Sequence, residues 1–449
     1  MKTQRLTFIA LIAVMIVPAA VLSQETPSTF EFSFSNPGAR SLGFGGAFAA
    51  LADDATAAFA NPAGLVQLAS MEVSTELRHW RFSTPFIVGG RYEGEPTGFG
   101  LDTEDGLRTA VSREQLTGLS FLSFVYPLGR WSFAVYRHQL ANFRAQTATE
   151  GVFPGELGPR AIDRRWSTRL EIVSSGIAGA YRVNDRLSLG IGLVHFRGRL
   201  DAPFAWSLPD NIETLEGVFG PTTYLPERRI ADGVMAIEDS DWGPSAGLLW
   251  GFAKRWSLGA FYRQGPEFRL VYDVVGGPLA SFLGPAATPG ETLVIIESPM
   301  RFPDVFGFGV GYRSRDGRLA VGFEWDRVEY SSIFSSFDPE VIETVDPDLD
   351  LNTYLVADDG NEFRFGAEYA LLDIEPVLAL RAGVWLDPDH RFRSVHPHDA
   401  DHRALFQAGE DELHFAVGVG LAFRAFQIDC AADISDLVDT YSLSAIYSF

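Results

Sequence analysis

Cysteine and basic residues are both scarce in this sequence of 449 residues. The single cysteine, Cys430, excludes a small secreted scaffold held together by intramolecular disulfides. The chain has 36 Lys and Arg against 58 Asp and Glu, and its formal net charge is -22. This balance argues against nucleic acid as a partner, because contacts with phosphates need Lys and Arg.

A long apolar run of the kind that forms a membrane-spanning helix is also missing, since such a helix needs about 20 consecutive apolar residues. The nearest approach is GFGGAFAALADDATAAFANPAGL, residues 43–65. Its central Asp53 and Asp54 would each cost about 3 kcal/mol in lipid, so it is not a membrane helix. Gly43, Gly45 and Gly46 lack the spacing of a dinucleotide-binding loop, which excludes that reading as well.

The N-terminus predicts export. A basic start, a short apolar run and a small-residue site indicate a signal peptide over residues 1–23. The next residue, Gln24, is not a lipidation cysteine. An exported chain with 46% hydrophobic residues and no membrane helix favours the other fold that satisfies its backbone in lipid, a closed β-barrel.

Strict alternation of large and small residues supports that fold. In VFGFGVGY (305–312) and HFAVGVGLAF (414–423), bulky apolar residues alternate with histidine, alanine and glycine. A water-soluble sheet also alternates, but it places charged residues on its exposed face and rarely glycine on most of one face. Bulky groups toward lipid and small groups toward a lumen are typical of a transmembrane barrel.

Counting such segments predicts an all-β, antiparallel barrel of about 14 strands, an even number as bacterial barrels require. The predicted strands are 68–82, 115–127, 130–144, 168–182, 187–200, 242–252, 256–273, 294–312, 318–332, 362–370, 377–387, 412–424, 426–434 and 438–449. Short connections alternate with long ones near 83–114, 145–167, 201–241, 274–293, 333–361 and 388–411, with one shorter exception near 435–437. The last strand ends on Phe449 and resembles the signal read by the outer-membrane barrel assembly machinery, an expected partner.

Several motifs resemble the FadL/TodX family of outer-membrane channels for hydrophobic compounds. The stretch from Ser41 to Leu65 carries Ala-Asp-Asp-Ala (52–55) and Asn-Pro-Ala (61–63), as the family's N-terminal plug does. RFPDVFGFGVGYR (301–313), FEWDRVEYSSI (323–333) and NEFRFGAEYALLD (361–373) continue the resemblance. With the signal peptide at 1–23, the resemblance implies a plug at 24–67 and a barrel at 68–449.

That resemblance also implies a function. It is passive uptake of long-chain fatty acids or aromatic hydrocarbons by a monomer in the outer membrane, with lipids around it and no cofactor. A shift of the plug would open a route sideways into the membrane through a kink in the third strand, although SFAVYRHQLANF (132–143) has no Gly or Pro to mark one. The alternative is a PorV-type barrel that carries or supports other proteins, which NPGARSLGFGGAF (36–48) also resembles.

Candidate site residues fall into three groups. In the plug, Gly43, Gly45 and Gly46 suit close packing, Asn61 and Pro62 shape the segment, and Asp53 and Asp54 cap a helix or act in gating. In the lumen, charges on the small-residue face predict an ionic ladder that anchors the plug, or a substrate-carboxylate site at one of its arginines. These charges are Glu324, Asp326, Arg364, Glu368 and Arg381.

The third group consists of apolar residues in two long connections. They predict a surface that captures ligands, with packing within the loops as the alternative. They are Phe204, Trp206 and Phe219 in the first connection and Leu279, Phe282 and Leu283 in the second. Four histidines (390, 396, 398, 402) lack the spacing of a zinc site, so a polar loop is expected there, and no histidine lies in an enzyme motif.

Overall fold

A computed structural model describes residues 34–98, 101–155, 161–208, 228–284, 286–335, 355–395 and 400–449. The predicted signal peptide therefore lies outside the described residues, as do Phe219, His396 and His398. The strands are β1 (Glu72–Arg91), β2 (Leu107–Leu128), β3 (Trp131–Thr149), β4 (Val152–Phe153), β5 (Asp163–Arg182), β6 (Leu187–Ser207), β7 (Arg229–Ala253), β8 (Trp256–Arg263), β9 (Glu267–Gly276), β10 (Thr292–Arg301), β11 (Val305–Arg313), β12 (Leu319–Val328), β13 (Leu355–Val356), β14 (Gly360–Leu371), β15 (Val377–Asp387), β16 (Arg393–Ser394), β17 (Glu412–Ala422), β18 (Phe426–Ile434) and β19 (Val438–Ser448).

The predicted barrel of 14 antiparallel strands is confirmed. Each spanning strand pairs with its neighbour in sequence, and β1 closes the wall by pairing with both β2 and β19. The pairs β8/β9 and β10/β11 each form one interrupted spanning strand, while β4, β13 and β16 are short additions at the end with the long connections. We call that end the long-loop end and the opposite end the short-turn end.

The helices are short. The segment inside the barrel contains α1 (Ala39–Gly43), α2 (Ala57–Ala60) and a 3₁₀ helix at Pro62–Gln67. At the long-loop end lie a 3₁₀ helix at Ala280–Phe282, α3 (Ser332–Ser335) and α4 (Ala400–Leu405). Within the described part of the chain, no helix is both long and apolar enough to cross a membrane.

Alternation places apolar side chains on the outside of the wall. Ile191 is 71% exposed and Val417 is 59% exposed, although both lie within strands. At the short-turn end, exposed Trp131, Trp250 and Trp256 mark the outer face, as expected of an aromatic girdle at a lipid–water boundary. The hydrophobic core lies inside the barrel, between the wall and residues 34–68.

Two details of the strand prediction are wrong. Segments 256–273 and 294–312 are each broken, at 264–266 and 302–304, where Pro266 and Pro303 cannot donate to the ladder. The predicted connections 83–114 and 201–241 are too long, because β1, β2, β6 and β7 continue past the apolar band. In these extensions the strands still alternate, but polar residues face outward, so the sequence resembles that of a loop.

Candidate functional site

The N-terminal segment runs around the inside of the wall and touches it through backbone atoms. It lies on lumen-facing glycines that are paired across neighbouring strands, as in Gly322–Gly366–Gly383. A Cβ added at Gly366 would lie 1.9 Å from the carbonyl oxygen of Phe44, and one added at Gly383 would lie 2.3 Å from the amide nitrogen of Gly45. The small-residue face of the wall therefore gives the segment its room. We call residues 34–68 the plug and these wall glycines the glycine belt.

The same belt continues around the barrel. A Cβ added at Gly259 would lie 2.2 Å from the carbonyl oxygen of Ala49. One added at Gly247 would lie 2.2 Å from Asn61 Oδ1, and one added at Gly190 would lie 2.3 Å from the amide nitrogen of Ala63. These three glycines lie on β8, β7 and β6, and with the previous three they form the seat of the plug.

The three predicted glycines of the plug lie at its first turn. Gly45 and Gly46 have φ angles of 68° and 78°, a left-handed conformation that favours glycine. A Cβ at Gly43 would lie 2.8 Å from the Cα of Gly418 in β17, so this helix end meets the wall without side chains. The geometry is that of a tight turn followed by close backbone contact.

The acidic pair of the plug binds arginines. Arg40 Nη1 lies 2.7 Å from Asp53 Oδ1 and 3.3 Å from Asp54 Oδ2, while Arg313 Nη2 lies 2.5 Å from Asp53 Oδ2. Asp54 Oδ1 also accepts a hydrogen bond of 2.9 Å from the backbone N–H of Thr56. The capping prediction for this pair is wrong, because Thr56 is the N-cap residue of α2 and Asp54 forms a turn just before it.

Asn61 is fully buried and links the plug to the wall. Its amide nitrogen donates to the carbonyl oxygens of Ala49, at 2.8 Å, and of Leu248 in β7, at 3.0 Å. Its side-chain oxygen accepts from Ala63 N at 3.1 Å and caps the 3₁₀ helix that begins at Pro62. Proline is suited to that first position, because its missing N–H has no partner there.

The five predicted lumen charges all point inward, and four of them form ion pairs. Arg364 Nε lies 3.2 Å from Asp326 Oδ2, and its guanidinium also contacts Glu362. Arg381 bridges Glu368 at 2.6 Å and Asp429 at 2.7 Å.

The same row of charges holds the plug. Glu368 contacts Arg40 at 3.0 Å, and Glu324 Oε2 accepts the backbone N–H of Ala49 at 2.6 Å. The sequence prediction did not include Arg40, whose only signal was a lone charge in a run of small residues.

The five predicted capture residues that the structure describes do not form one exposed surface. Phe204 and Trp206 lie on β6, are 4% and 0% exposed, and face the lumen, so their placement in a loop is wrong. They alternate with Pro203 and Ala205, whose sequence had suggested a connection. Leu279 and Leu283 pack against the core, and Phe282 is 39% exposed beside them.

The wall is discontinuous between β2 and β3. Their pairing runs from Leu128–Trp131 only to Phe121–His138, and β3 then carries a bulge between Gln139 and Ala141. Contact with β2 resumes where Gln146 N donates to Ser112 Oγ at 2.9 Å. Thus β3 separates from β2 where a bulge shifts the register of β3 against β5, although the strand has no Gly or Pro there.

A buried ion pair holds the first long connection, outside the spanning part of the wall. Arg91 Nε donates to Asp102 Oδ1 at 2.8 Å, and Thr97 Oγ1 donates to Asp102 Oδ2 at 2.7 Å. The hydrogen bond from Arg91 is the main cause that lowers the pKa of Asp102 to about 2. Both side chains are nearly inaccessible to solvent, so this loop closes over a fixed anchor.

Comparisons with known proteins agree with this geometry. A search of curated proteins gives no match. A FadL homologue of Pseudomonas aeruginosa matches 94% of this chain and 100% of its own at a TM-score of 0.60 and 16% identity. The toluene transporter TbuX of Ralstonia pickettii (16% identity) and TodX of P. putida (15% identity) each match 93% of this chain and 99% of their own, at a TM-score of 0.56.

These structural similarities show the fold. The sequence profile for outer membrane transport proteins of the OMPP1/FadL/TodX type matches residues 26–395, which is most of the chain. The chain belongs to the OMPP1/FadL/TodX family of outer membrane transport proteins.

Proposed function

We propose that this protein is a channel for the passive uptake of hydrophobic molecules, such as long-chain fatty acids or aromatic hydrocarbons, and that the plug is its gate. The family is one of outer membrane transport proteins, and two of the similar structures are toluene transporters. The proposal rests on two features that occur together: a lumen filled by the plug, and a gap in the wall between β2 and β3.

The lumen supports a gated route rather than an open pore. The plug crosses it on the glycine belt and is held by Arg40, Asp53, Glu324 and Asn61. Two internal cavities beside the plug have free volumes of only about 50 Å³ and 20 Å³. A hydrophobic molecule of a dozen carbons passes only after the plug moves, which gives the plug control over entry.

The gap between β2 and β3 supports a sideways exit. The larger cavity is lined by Gln139 to Asn142 of the bulge, so it reaches the gap from inside. On the outer face, an apolar depression of about 560 Å³ lies beside the gap, on the side of the short-turn end. Its lining includes Phe124, Val135 and Ile191. A hydrophobic molecule that leaves through the gap enters lipid directly and avoids water.

Uptake by cells that lack their own channel for such compounds tests the proposal. We expect cells producing this protein to accumulate labelled oleate or toluene, and deletion of Leu140 to abolish uptake because it restores the register of β3. Deletion of Val183, in the short turn after β5, is the matched control and should leave uptake intact. A properly assembled wild-type barrel that conferred no uptake, while its gene deletion impaired protein secretion, would instead support the carrier role.

A further inference from the structure

The larger of the two internal cavities is lined by three buried carboxylates. Asp387 ends β15, Glu412 begins β17 and Asp433 lies one residue before the end of β18, so all three belong to the long-loop side of the plug. Arg78 of β1 also lines the cavity, but its Nε lies 2.8 Å from Glu76 Oε1 and its charge is compensated by that pair. Burial of a carboxylate is unfavourable unless it is paired, so the partners of these three decide what the cavity accepts.

Two histidines face these carboxylates and do not balance them. His414 Nδ1 lies 3.2 Å from Asp433 Oδ2, and its Nε2 lies 3.6 Å from Glu412 Oε2. His390 Nδ1 lies 3.6 Å from Asp387 Oδ1. Even with both imidazoles protonated, three negative charges meet two positive ones. The cavity therefore keeps a net negative charge and gains from a cation that enters from outside the chain.

Two oxygen atoms of the lining have no hydrogen-bond donor within the described part of the chain. They are Asp433 Oδ1 and Gln139 Oε1, and the two residues are 3% and 7% exposed. The other end of each side chain is fixed, since Asp433 Oδ2 accepts from Trp385 Nε1 at 3.1 Å and Gln139 Nε2 donates to Glu171 Oε1 at 3.1 Å. Buried acceptors are normally hydrogen-bonded, so these two atoms point to a ligand that donates hydrogen bonds.

The size and the remaining walls of the cavity define this ligand further. Its free volume of about 50 Å³ admits a head group of a few heavy atoms but not a long chain. Leu140 and Ala141 of the bulge lead from it to the gap between β2 and β3, so an attached apolar chain has a path to lipid. A metal ion is not favoured, because no three His, Cys, Asp or Glu side chains of the described ranges are placed to hold one. These features match an organic cation with N–H donors and an apolar body.

We propose that this cavity binds the ammonium group of a lipophilic primary amine, and that Asp433 and Gln139 accept its hydrogen bonds. The apolar body of the amine lies along Leu140 and Ala141 and extends through the gap toward lipid. This inference rests on the proposed function, because the amine uses the same sideways exit. It adds a substrate class, organic cations with an N–H donor, that the fatty acids and hydrocarbons of that proposal do not include.

Three ligands with the same alkyl chain and different head groups test this assignment. Octylammonium, 1-octanol and octyltrimethylammonium are titrated calorimetrically into the assembled protein in phosphatidylcholine nanodiscs at pH 7, and the signal of empty nanodiscs is subtracted. Octylamine is protonated at this pH, as a lysine side chain is. We expect octylammonium to bind roughly 10- to 100-fold more tightly than 1-octanol, the size of a hydrogen bond to a charged group. Octyltrimethylammonium has the charge but no N–H, and should bind at least about 10-fold more weakly than octylammonium.

Asp433→Asn keeps the size of the side chain and an acceptor for Trp385, and should remove the preference for octylammonium over 1-octanol. Asp373→Asn is the matched control, because Asp373 pairs with Arg318 in the exposed short turn between β14 and β15. It should bind all three ligands as the wild type does. Equal affinity of the wild-type protein for octylammonium and either other ligand, a measurement that needs no variant, would overturn the assignment. So would a preference that survives in Asp433→Asn. Uptake of oleate and toluene, neither of which is a cation, tests the channel function separately, so the assignment can fail while the channel function stands.

Discussion

Because the plug packs so closely against the glycine belt, we predict that one methyl group added to the belt displaces the plug. In Gly366→Ala, the new Cβ would lie 1.9 Å from the carbonyl oxygen of Phe44 and 2.5 Å from Phe44 Cδ1. Both atoms belong to the plug, so it is the plug that must shift. Overpacking of this kind costs about 1–3 kcal/mol. Since 1.4 kcal/mol is a factor of ten, the population with a displaced plug should rise by roughly 5- to 150-fold.

Ion conductance in planar bilayers measures that population, because a displaced plug leaves a water-filled lumen. The matched control is Gly179→Ala on β5, where the nearest atom to the new Cβ is Phe133 Cδ1 at 3.6 Å, an ordinary contact. Both variants should keep the heat-dependent gel mobility of an assembled barrel. Only Gly366→Ala should show frequent openings.

A closed Gly366→Ala channel would refute this reasoning. If that variant assembled and conducted no more than the wild type and Gly179→Ala, the plug would have absorbed the methyl group at little cost. The contact between the plug and the glycine belt would then not control the pore.

Two further predictions concern charged contacts. Arg40→Gln removes charged hydrogen bonds to Asp53, Asp54 and Glu368. It should weaken the plug by about 1.5–3 kcal/mol, because Asp53 and Glu368 each keep a second arginine and Asp54 keeps its hydrogen bond from Thr56. Unchanged amide exchange in α1 would contradict this. The second contact is that of Asp102, whose pKa is held at about 2, below its usual 3.8. Its bond with Arg91 therefore stabilises the first long connection fully above pH 3.8, and this stabilisation is lost as the pH falls through 2. Pepsin cleavage there should rise over that range, and an Asp102→Asn variant should show no such pH dependence.

The sequence was sufficient for the wall because the relevant information is local. Alternation with period 2 assigns each residue of a strand to the lipid or the lumen without reference to any other strand. Glu324, Arg364 and Arg381 could therefore be placed inside the barrel before their partners were known. The same rule failed at Phe204 and Trp206 because the outward residues beside them, Pro203 and Ala205, resemble a loop in sequence.

The tertiary structure alone decided how the lumen is filled. The bulge at Gln139–Ala141 depends on register between strands, which leaves no mark such as Gly or Pro in the sequence. The neighbours of each lumen arginine depend on the whole lumen: Arg364 binds Asp326, whereas Arg263 lies against the rings of Phe59 and Phe261. Local alternation fixed the direction of each side chain, whereas contacts between residues distant in sequence determined the plug's seat and the gap in the wall.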